Sequence, residues 1–444
     1  MAKYLTDMTK GSELGHIIRF ALPMLAGNLF QQFYNIADSI IVGKYLGYNA
    51  LAAVGATGSI TFLFYNLCFG LATGAGILVS QSYGAGKHDS VKKYITNSAF
   101  VLFIFGIVIS VLSVLGTPFL LRLLDTPESV FDTAVGYMRI SCAGTVAVAL
   151  YNWISAVMRS LGDSRTPLIF LVIASVINVG LDLLFVVGLG MGADGAAWAT
   201  ITAQGISAFG SIIFCLKKNP MFSFRKEELA IDMQAVKKTV TTGIPIALQN
   251  AMVSVSMIYL QKTANSFGDT VMAAYTATMR IEQLIQQPFS SLNAAIAAFS
   301  GQNKGAEKND RIIKGYHKSM QAGMVFALVM LLIFLLFSHV AVGLFVEEAE
   351  VIEIGGFALK ISAIFYGFLG TIHITRGLLN GTGDVKYSLI NGLAEVVGRI
   401  GFATLFTTVI PLGYMAVWVT TCFTWLLTAV LSIIRYKGGK WKSL

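Results

Sequence analysis

Charge is what this chain has least of: Asp, Glu, Lys and Arg make up 12% of its 444 residues, against 55% that are hydrophobic. A mean hydropathy of +0.70 places it far outside the range of soluble globular domains. Cysteine is scarce as well. Cys68, Cys142, Cys215 and Cys422 lie in separate apolar runs with no paired spacing, which supports neither a disulfide framework nor a zinc site. No phosphate-binding loop is present: QSYGAGKH, from Gln81 to His88, lacks both the first glycine and the Ser/Thr after lysine that cradle phosphate and Mg²⁺. No His-Glu-x-x-His, Gly-x-Ser-x-Gly or paired-cysteine motif occurs either, so neither an enzyme nor direct ATP hydrolysis is expected, and no cofactor. Residues 1–16 are polar, and the apolar run that follows is too long for a cleavable leader.

What is there is apolar sequence in long runs. Runs able to cross about 30 Å of hydrocarbon begin near residues 17, 50, 95, 131, 167 and 195, and again near 240, 270, 319, 352, 387 and 412. The reading is an all-α polytopic membrane protein with about twelve transmembrane helices, whose even count puts both ends on one side. The net charge of +9 reports topology rather than nucleic-acid binding. Lys3, Lys10, Arg19, Lys87, Lys92, Lys93, Arg159, Arg165, the stretches 217–238 and 304–318, Lys386 and the tail 435–442 all fall on one face. Connections on the other face carry Lys44, Arg122 and Lys262 but are mostly acidic or neutral, as at Asp125, Glu128, Glu347, Glu348 and Glu350. The basic face is read as cytoplasmic, with both termini on it, in a cytoplasmic (inner) membrane.

The chain also repeats itself. FALPML around Pro23 matches TGIPIA around Pro245, QSYGAGKHD from Gln81 matches QNKGAEKND from Gln302, and SLGDSRTPL from Ser160 matches GTGDVKYSL from Gly381, at an offset of about 221 residues. The expected domains are an N-terminal six-helix lobe (1–216), an interlobe linker (217–239), a C-terminal six-helix lobe (240–435) and a tail (436–444). Six spans per half insert with the same orientation, so the two lobes are expected to be related by a pseudo-twofold axis along the membrane normal.

Ionisable groups inside spans are costly and mark candidate sites. Asp38 sits in the outer half of span one, with Gln31, Tyr34 and Asn35 on its helical face at i−7, i−4 and i−3. Asp182 in span five has Asn178 at i−4 and Ser175 at i−7, and lies at a similar depth. Two carboxylates sharing one site titrate as a unit, as proton coupling requires. The same oxygens, with Asn178 and a hydroxyl such as Thr200, could instead hold Na⁺. A plainer reading has each aspartate bonding a neighbouring helix. The repeat-equivalent positions are Tyr259 or Leu260, Arg399 and Ala403, so this site belongs to one half only. The second half has its own charges, Arg280, Glu282, Glu395 and Arg399, which sum to zero and read as a structural ion-pair network in preference to a substrate contact. Pro23 removes a backbone hydrogen bond in span one and serves either as a hinge or as a static kink. The glycines of GLATGAG, Gly70 to Gly76, are expected to let helices approach closely.

Taken together and in order, Pro23, Tyr34 with Asn35-x-x-Asp38, the Gln-x-x-Gly-Ala loops at Gln81 and Gln302, the Gly-Asp turns at Gly162 and Gly383, and Asn178-x-x-x-Asp182 closely resemble the multidrug and toxic compound extrusion (MATE) family. The resemblance covers nearly the whole chain. It implies a V-shaped fold of two six-helix lobes, and an antiporter that exports small amphipathic, often cationic, compounds by alternating access in exchange for H⁺ or Na⁺. It implies a cation site of Asp38, Asn178, Asp182 and Thr200, a substrate cavity with Gln31, Tyr34, Asn35 and, more loosely, Asn152, and Pro23 as the bend. No acid lies between Thr239 and Gln261 or between Ile361 and Asn380, which departs from the branch using C-terminal-lobe carboxylates and resembles the DinF-like branch. The expected partners are the lipid bilayer and the transported compounds, with the protein a monomer and no nucleic acid involved. The alternative is a lipid-linked oligosaccharide flippase of similar lobe design, which would carry a strongly cationic cavity.

Overall fold

The structure, a computed structural model, describes residues 5–124 and 126–443, apart from the side chains of Tyr48 and Ser59. Lys3 and Asp125, used above to read topology, lie outside the described residues. Among those residues the regular structure is all helix, with no strand. The first half holds α1 (Glu13–Gly84), α2 (His88–Leu123), α3 (Glu128–Ala143), α4 (Thr145–Ser160), α5 (Arg165–Asp182) and α6 (Gly192–Lys218). The second half holds α7 (Met233–Asn265), α8 (Asp269–Gly305), α9 (Asn309–Gly343), α10 (Ala349–Gly381), α11 (Val385–Thr404) and α12 (Ala416–Lys437).

Two local features reconcile these helices with the expected spans. Helix α1 is two passes joined at Gly47, whose φ of 81° and ψ of −175° break the helix in a conformation that favours glycine. Helices α3 and α4 form one pass bent by 42°. Nine described segments are long and apolar enough to cross a bilayer, and the bent pair makes ten. The first part of α1 (13–46) and helix α8 fall short. These two carry the polar stripe around Asp38 and the cluster of Arg280, Glu282, Gln283, Gln286 and Gln287, which dilute their apolar surface.

The chain packs as two compact units, one of residues 5–7 and 22–247, the other of residues 8–21 and 248–443. The boundaries therefore fall inside α1 and α7, two residues from Pro23 and Pro245, and the linker packs with the first unit. Within that unit the second pass of α1 lies against α7 at glycine: a Cβ on Gly70 would stand 2.3 Å from Ala247 Cα, and one on Gly74 the same distance from Gly243 Cα. Its core joins α2, α4 and α6 around Leu102, Trp153, Val157 and Met158, where the Trp153 indole donates to Ser98 Oγ at 2.8 Å. In the second unit α10 is the central helix, packing on α8, α9 and α12. All four cysteines are buried and free.

The repeated Gly-Asp turns are built alike and used differently. Gly162 and Gly383 have φ of 84° and 92°, which only glycine adopts at little cost. Asp163 then caps α5: its Oδ1 accepts from the backbone N–H groups of Arg165 and Thr166, both at 3.0 Å. Its counterpart Asp384 instead accepts a two-pronged contact from Arg435 of α12, at 2.7 and 2.8 Å.

Candidate functional site

Asp38 projects from the first pass of α1, and Asp182 ends α5 where the helix widens into a π-helical turn, Leu183–Gly188. Their side chains are close neighbours. No protein donor reaches Asp38 Oδ1, either oxygen of Asp182, or Asn178 Oδ1. Asp182 and Asn178 are almost wholly buried. The result is a set of four orphaned, inward oxygens, three of them from carboxylates.

Thr200 of α6 ties the surrounding shell together. Asn178 Nδ2 donates to its hydroxyl at 3.3 Å, and the Tyr34 hydroxyl lies 3.4 Å from the same oxygen. A narrow cleft beside this pair is lined by Gln31, Tyr34, Ser175, Asn178, Thr200 and Gln204. Asp38, Asp182, Asn178, Thr200, Tyr34 and Gln31 are thus brought into one neighbourhood. Two expected members stand outside it. Asn35 is exposed, with its carbonyl accepting from Ser39 Oγ at 2.9 Å, and half-buried Asn152 of α4 does not line the cleft. Sequence reasoning missed Gln204, whose buried Oε1 has no partner, and Tyr137 of α3, which neighbours Asp38 and Tyr34. Gln204 had a usable signal, because it stands one turn beyond Thr200 on the same helical face. Tyr137 had none, since its approach depends on how α3 packs.

Chemically, bare carboxylate oxygens facing one another in low dielectric require a neutralising proton or cation. The donors are all hard oxygens, a set that suits a proton or an alkali cation and no thiolate-loving metal. Among the described residues no group of three His, Cys, Asp or Glu side chains could hold a metal ion.

The second unit's charges are arranged otherwise. Glu395 Oε1 accepts from Arg376 at 2.7 Å, and its Oε2 stands 3.8 Å from Arg399 one turn along α11. Arg399, only 1% exposed, also donates from Nη1 to Ser256 Oγ at 2.8 Å, while Arg376 donates to Asn391 Oδ1. Of the four residues expected to form this network, Glu395 and Arg399 do so and Arg280 does not. Arg280 is exposed and forms no ion pair among the described residues. Glu282 sits beside Ser362 and Cys422, with its Oε1 unpartnered. The separation has a simple cause: Arg280 and Glu282 are two residues apart on one helix and face different ways. Arg376 takes the place assigned to Arg280.

The chain matches the family model MatE twice, over residues 23–184 and 245–405. It is 30% identical to the probable multidrug resistance protein YpnP of Bacillus subtilis, across 99% of this chain and 98% of that one. It is 23% identical to the probable multidrug resistance protein NorM of Thermotoga maritima, across 96% and 92%. Among solved structures, a MOP superfamily transporter from Pyrococcus furiosus superposes with a TM-score of 0.93 at 23% identity, covering 100% of this chain and 99% of that one. An outward-facing MATE family transporter of the same superfamily superposes equally well, with a TM-score of 0.93 at 22% identity and the same coverage.

Proposed function

The chain belongs to the MatE family, and from that premise we propose that it exports small amphipathic, often cationic, compounds in exchange for H⁺ or Na⁺. It is a multi-pass membrane transporter, not an enzyme. The observation that carries the coupling is the contact between Asp38 and Asp182, three of whose oxygens have no donor from the protein. A proton or a monovalent cation bound there neutralises the pair, and its loss leaves two adjacent charges that a cationic or polar substrate, or a rearranged site, must answer.

In this reading Asn178 and Thr200 complete the ion's oxygen shell, and Gln31 and Tyr34 of the adjoining cleft relay its occupancy to substrate. Ion and substrate need only prefer different states of the protein for exchange to follow. Pro23, which has no N–H to give, supplies the bend in α1. The Arg376–Glu395–Arg399 network serves as internal bracing. The protein works as a monomer in the cytoplasmic membrane with both termini on the cytoplasmic side, an orientation that the lysine and arginine distribution supports.

The test is efflux of a fluorescent lipophilic cation from liposomes holding the purified protein, under an imposed pH gradient or an imposed Na⁺ gradient. Transport driven by one gradient and lost in Asp38→Asn and Asp182→Asn, with both variants still folded, is the expected result and names the ion. Normal gradient-driven efflux in both variants removes the site. If neither gradient drives the wild type, the substrate class itself is wrong, and lipid-linked cargo becomes the reading to pursue.

A further inference from the structure

The linker between the two repeats is not a slack tether. After α6 it makes two 3₁₀ turns, Pro220–Phe222 and Lys226–Leu229, before α7 begins at Met233. Phe222 is buried edge-on to Trp153, at 6.4 Å between ring centres. Glu228 receives the Lys92 ammonium on both oxygens at 3.1 Å and the Arg225 backbone N–H at 2.6 Å. Asp232 pairs with Lys93, and its backbone N–H donates to Asn97 Oδ1 at 2.8 Å. The Lys93 contact, helped by backbone N–H groups of the α7 start, holds the Asp232 carboxyl below its ordinary range, so this clamp stays charged at neutral pH.

With its polar groups fixed to α2, the linker turns apolar side chains outward. Leu229, Ile231 and Met233 are 53%, 55% and 72% exposed. Ala230 leads the chain out of the second turn in an extended conformation, and Ile231 stays exposed although its neighbour Asp232 grips α2. Single exposed apolar residues are ordinary, but here three fall within five residues, from the end of a 3₁₀ turn to the start of α7, in a segment pinned through its polar groups.

The place where this face is pinned indicates what covers it. Lys93 shares its helical stripe with Phe100, Ile104, Ile107 and Val111, at i+7, i+11, i+14 and i+18, all of them exposed. On a helix long and apolar enough to cross a bilayer, we read that exposed apolar stripe as its lipid-facing side. Asn97 stands three residues, or about 4.5 Å of rise, before Phe100, where the lipid-facing stripe begins. The linker is therefore clamped at the level of the bilayer boundary, on the lipid side of α2. Exposed Arg225, Lys226, Lys237 and Lys238 flank the apolar trio.

We propose that Leu229, Ile231 and Met233 seat the linker in the interfacial layer of the membrane, with anionic phospholipid headgroups taken by Arg225, Lys226, Lys237 and Lys238. The occupant of this face is the bilayer itself, continuous with the lipid already covering α2. Amphipathic segments of this composition lie in the headgroup region with their apolar side chains reaching the acyl boundary, and basic residues strengthen binding to anionic surfaces. The linker thereby fixes the depth at which α7 starts.

The experiment places a nitroxide on single cysteines introduced at Glu227, Ile231 and Met233 of the full-length protein, reconstituted in vesicles of phosphatidylcholine and phosphatidylglycerol. The native cysteines are buried and stay unlabelled. Collision with oxygen, which enters lipid, is compared with collision with an aqueous nickel chelate. The expected result is a depth parameter that reverses sign between Glu227, on the water side, and both Ile231 and Met233, on the lipid side. The water-side sign at all three positions overturns the proposal in favour of a linker free in water, and the lipid-side sign at all three overturns the placement of the linker at the headgroup boundary. Exclusion of both reagents at Ile231 and Met233 overturns it in favour of a protein surface as the occupant. Charge reversal at Arg225 and Lys226, read at Ile231, separately tests the headgroup contact: nickel collision is expected to rise several-fold, and no change overturns the role given to the basic residues.

Discussion

Asp182 and Glu395 are both acids on transmembrane helices of the same duplicated design, 0% and 6% exposed, yet they are served in opposite ways. Glu395 has a guanidinium on each oxygen, while Asp182 has no donor on either and a second carboxylate beside it. The scaffold around them is shared: a π-helical turn follows the acid at Leu183–Gly188 in the first half and recurs at Leu405–Val409, where Ala403 holds the place of Asp182. The π turn is thus an inheritance of the fold, and what differs between these two acids is whether their oxygens meet a donor: Glu395 has two, Asp182 none. A buried charge with its counter-ion in place is already answered by the protein, whereas one without a donor costs free energy until something neutralises it.

The comparison breaks most visibly if the two acids respond alike to neutralisation. Asp182→Asn is expected to abolish gradient-driven efflux while leaving thermal unfolding of the purified protein near that of wild type, because it removes one of two adjacent like charges. Glu395→Gln is expected to do the reverse, costing about 3–5 kcal/mol by leaving Arg376 and Arg399 without their counter-ion. Melting curves in one detergent measure both. A stable Glu395→Gln that cannot transport would move the C-terminal network from bracing to mechanism. The Gly-Asp turns sharpen the contrast at lower cost. Asp384→Ala strips Arg435 of two charge-assisted bonds and is expected to lose about 1.5–3 kcal/mol. Asp163→Ala loses a helix cap worth about 1 kcal/mol. Equal losses would mean that the two turns carry the same load despite their different partners.

The long apolar runs and the duplication were readable because each is written in local spacing, and the candidate site was chosen on the same ground. Polar residues one and two turns apart in an otherwise apolar span single out one helical face, and Asp38 and Asp182 were chosen from it, although Asn35, on the edge of the same stripe, is exposed. Arg376 was not readable as the partner of Glu395, because nineteen residues and a turn separate them, and only the packing of α10 on α11 brings them together. Arg280 was misplaced for the opposite reason. Closeness to Glu282 in sequence suggested closeness in space, which the helical angle between i and i+2 denies. Composition marks the charged linker, whereas the contacts divide inside α1 and α7, where hydropathy shows no break.

The smallest effect probes the second unit at its edge, where residues 8–13 are bound by the turn after α8. Met8 N–H donates to Gln302 Oε1 at 2.9 Å, and Arg311 donates to Gly11 O at 2.9 Å. Glu13 joins this contact through Lys318 at 2.8 Å and Arg311 at 3.3 Å. The Lys318 hydrogen bond, foremost, holds the Glu13 carboxyl below its ordinary range. A carboxyl lowered by folding stabilises above its unfolded pKa, about 4.3, and loses that contribution as pH falls through the folded value. Because Lys318 is 42% exposed, solvent screening holds the contribution below about 1 kcal/mol. Glu13→Gln should therefore melt slightly below wild type at pH 7, and the difference should close as the pH drops under about 4. A difference that persists there would mean that Glu13 acts by packing. The edge of this unit would then differ from Glu395 at its centre in kind, not merely in degree of exposure.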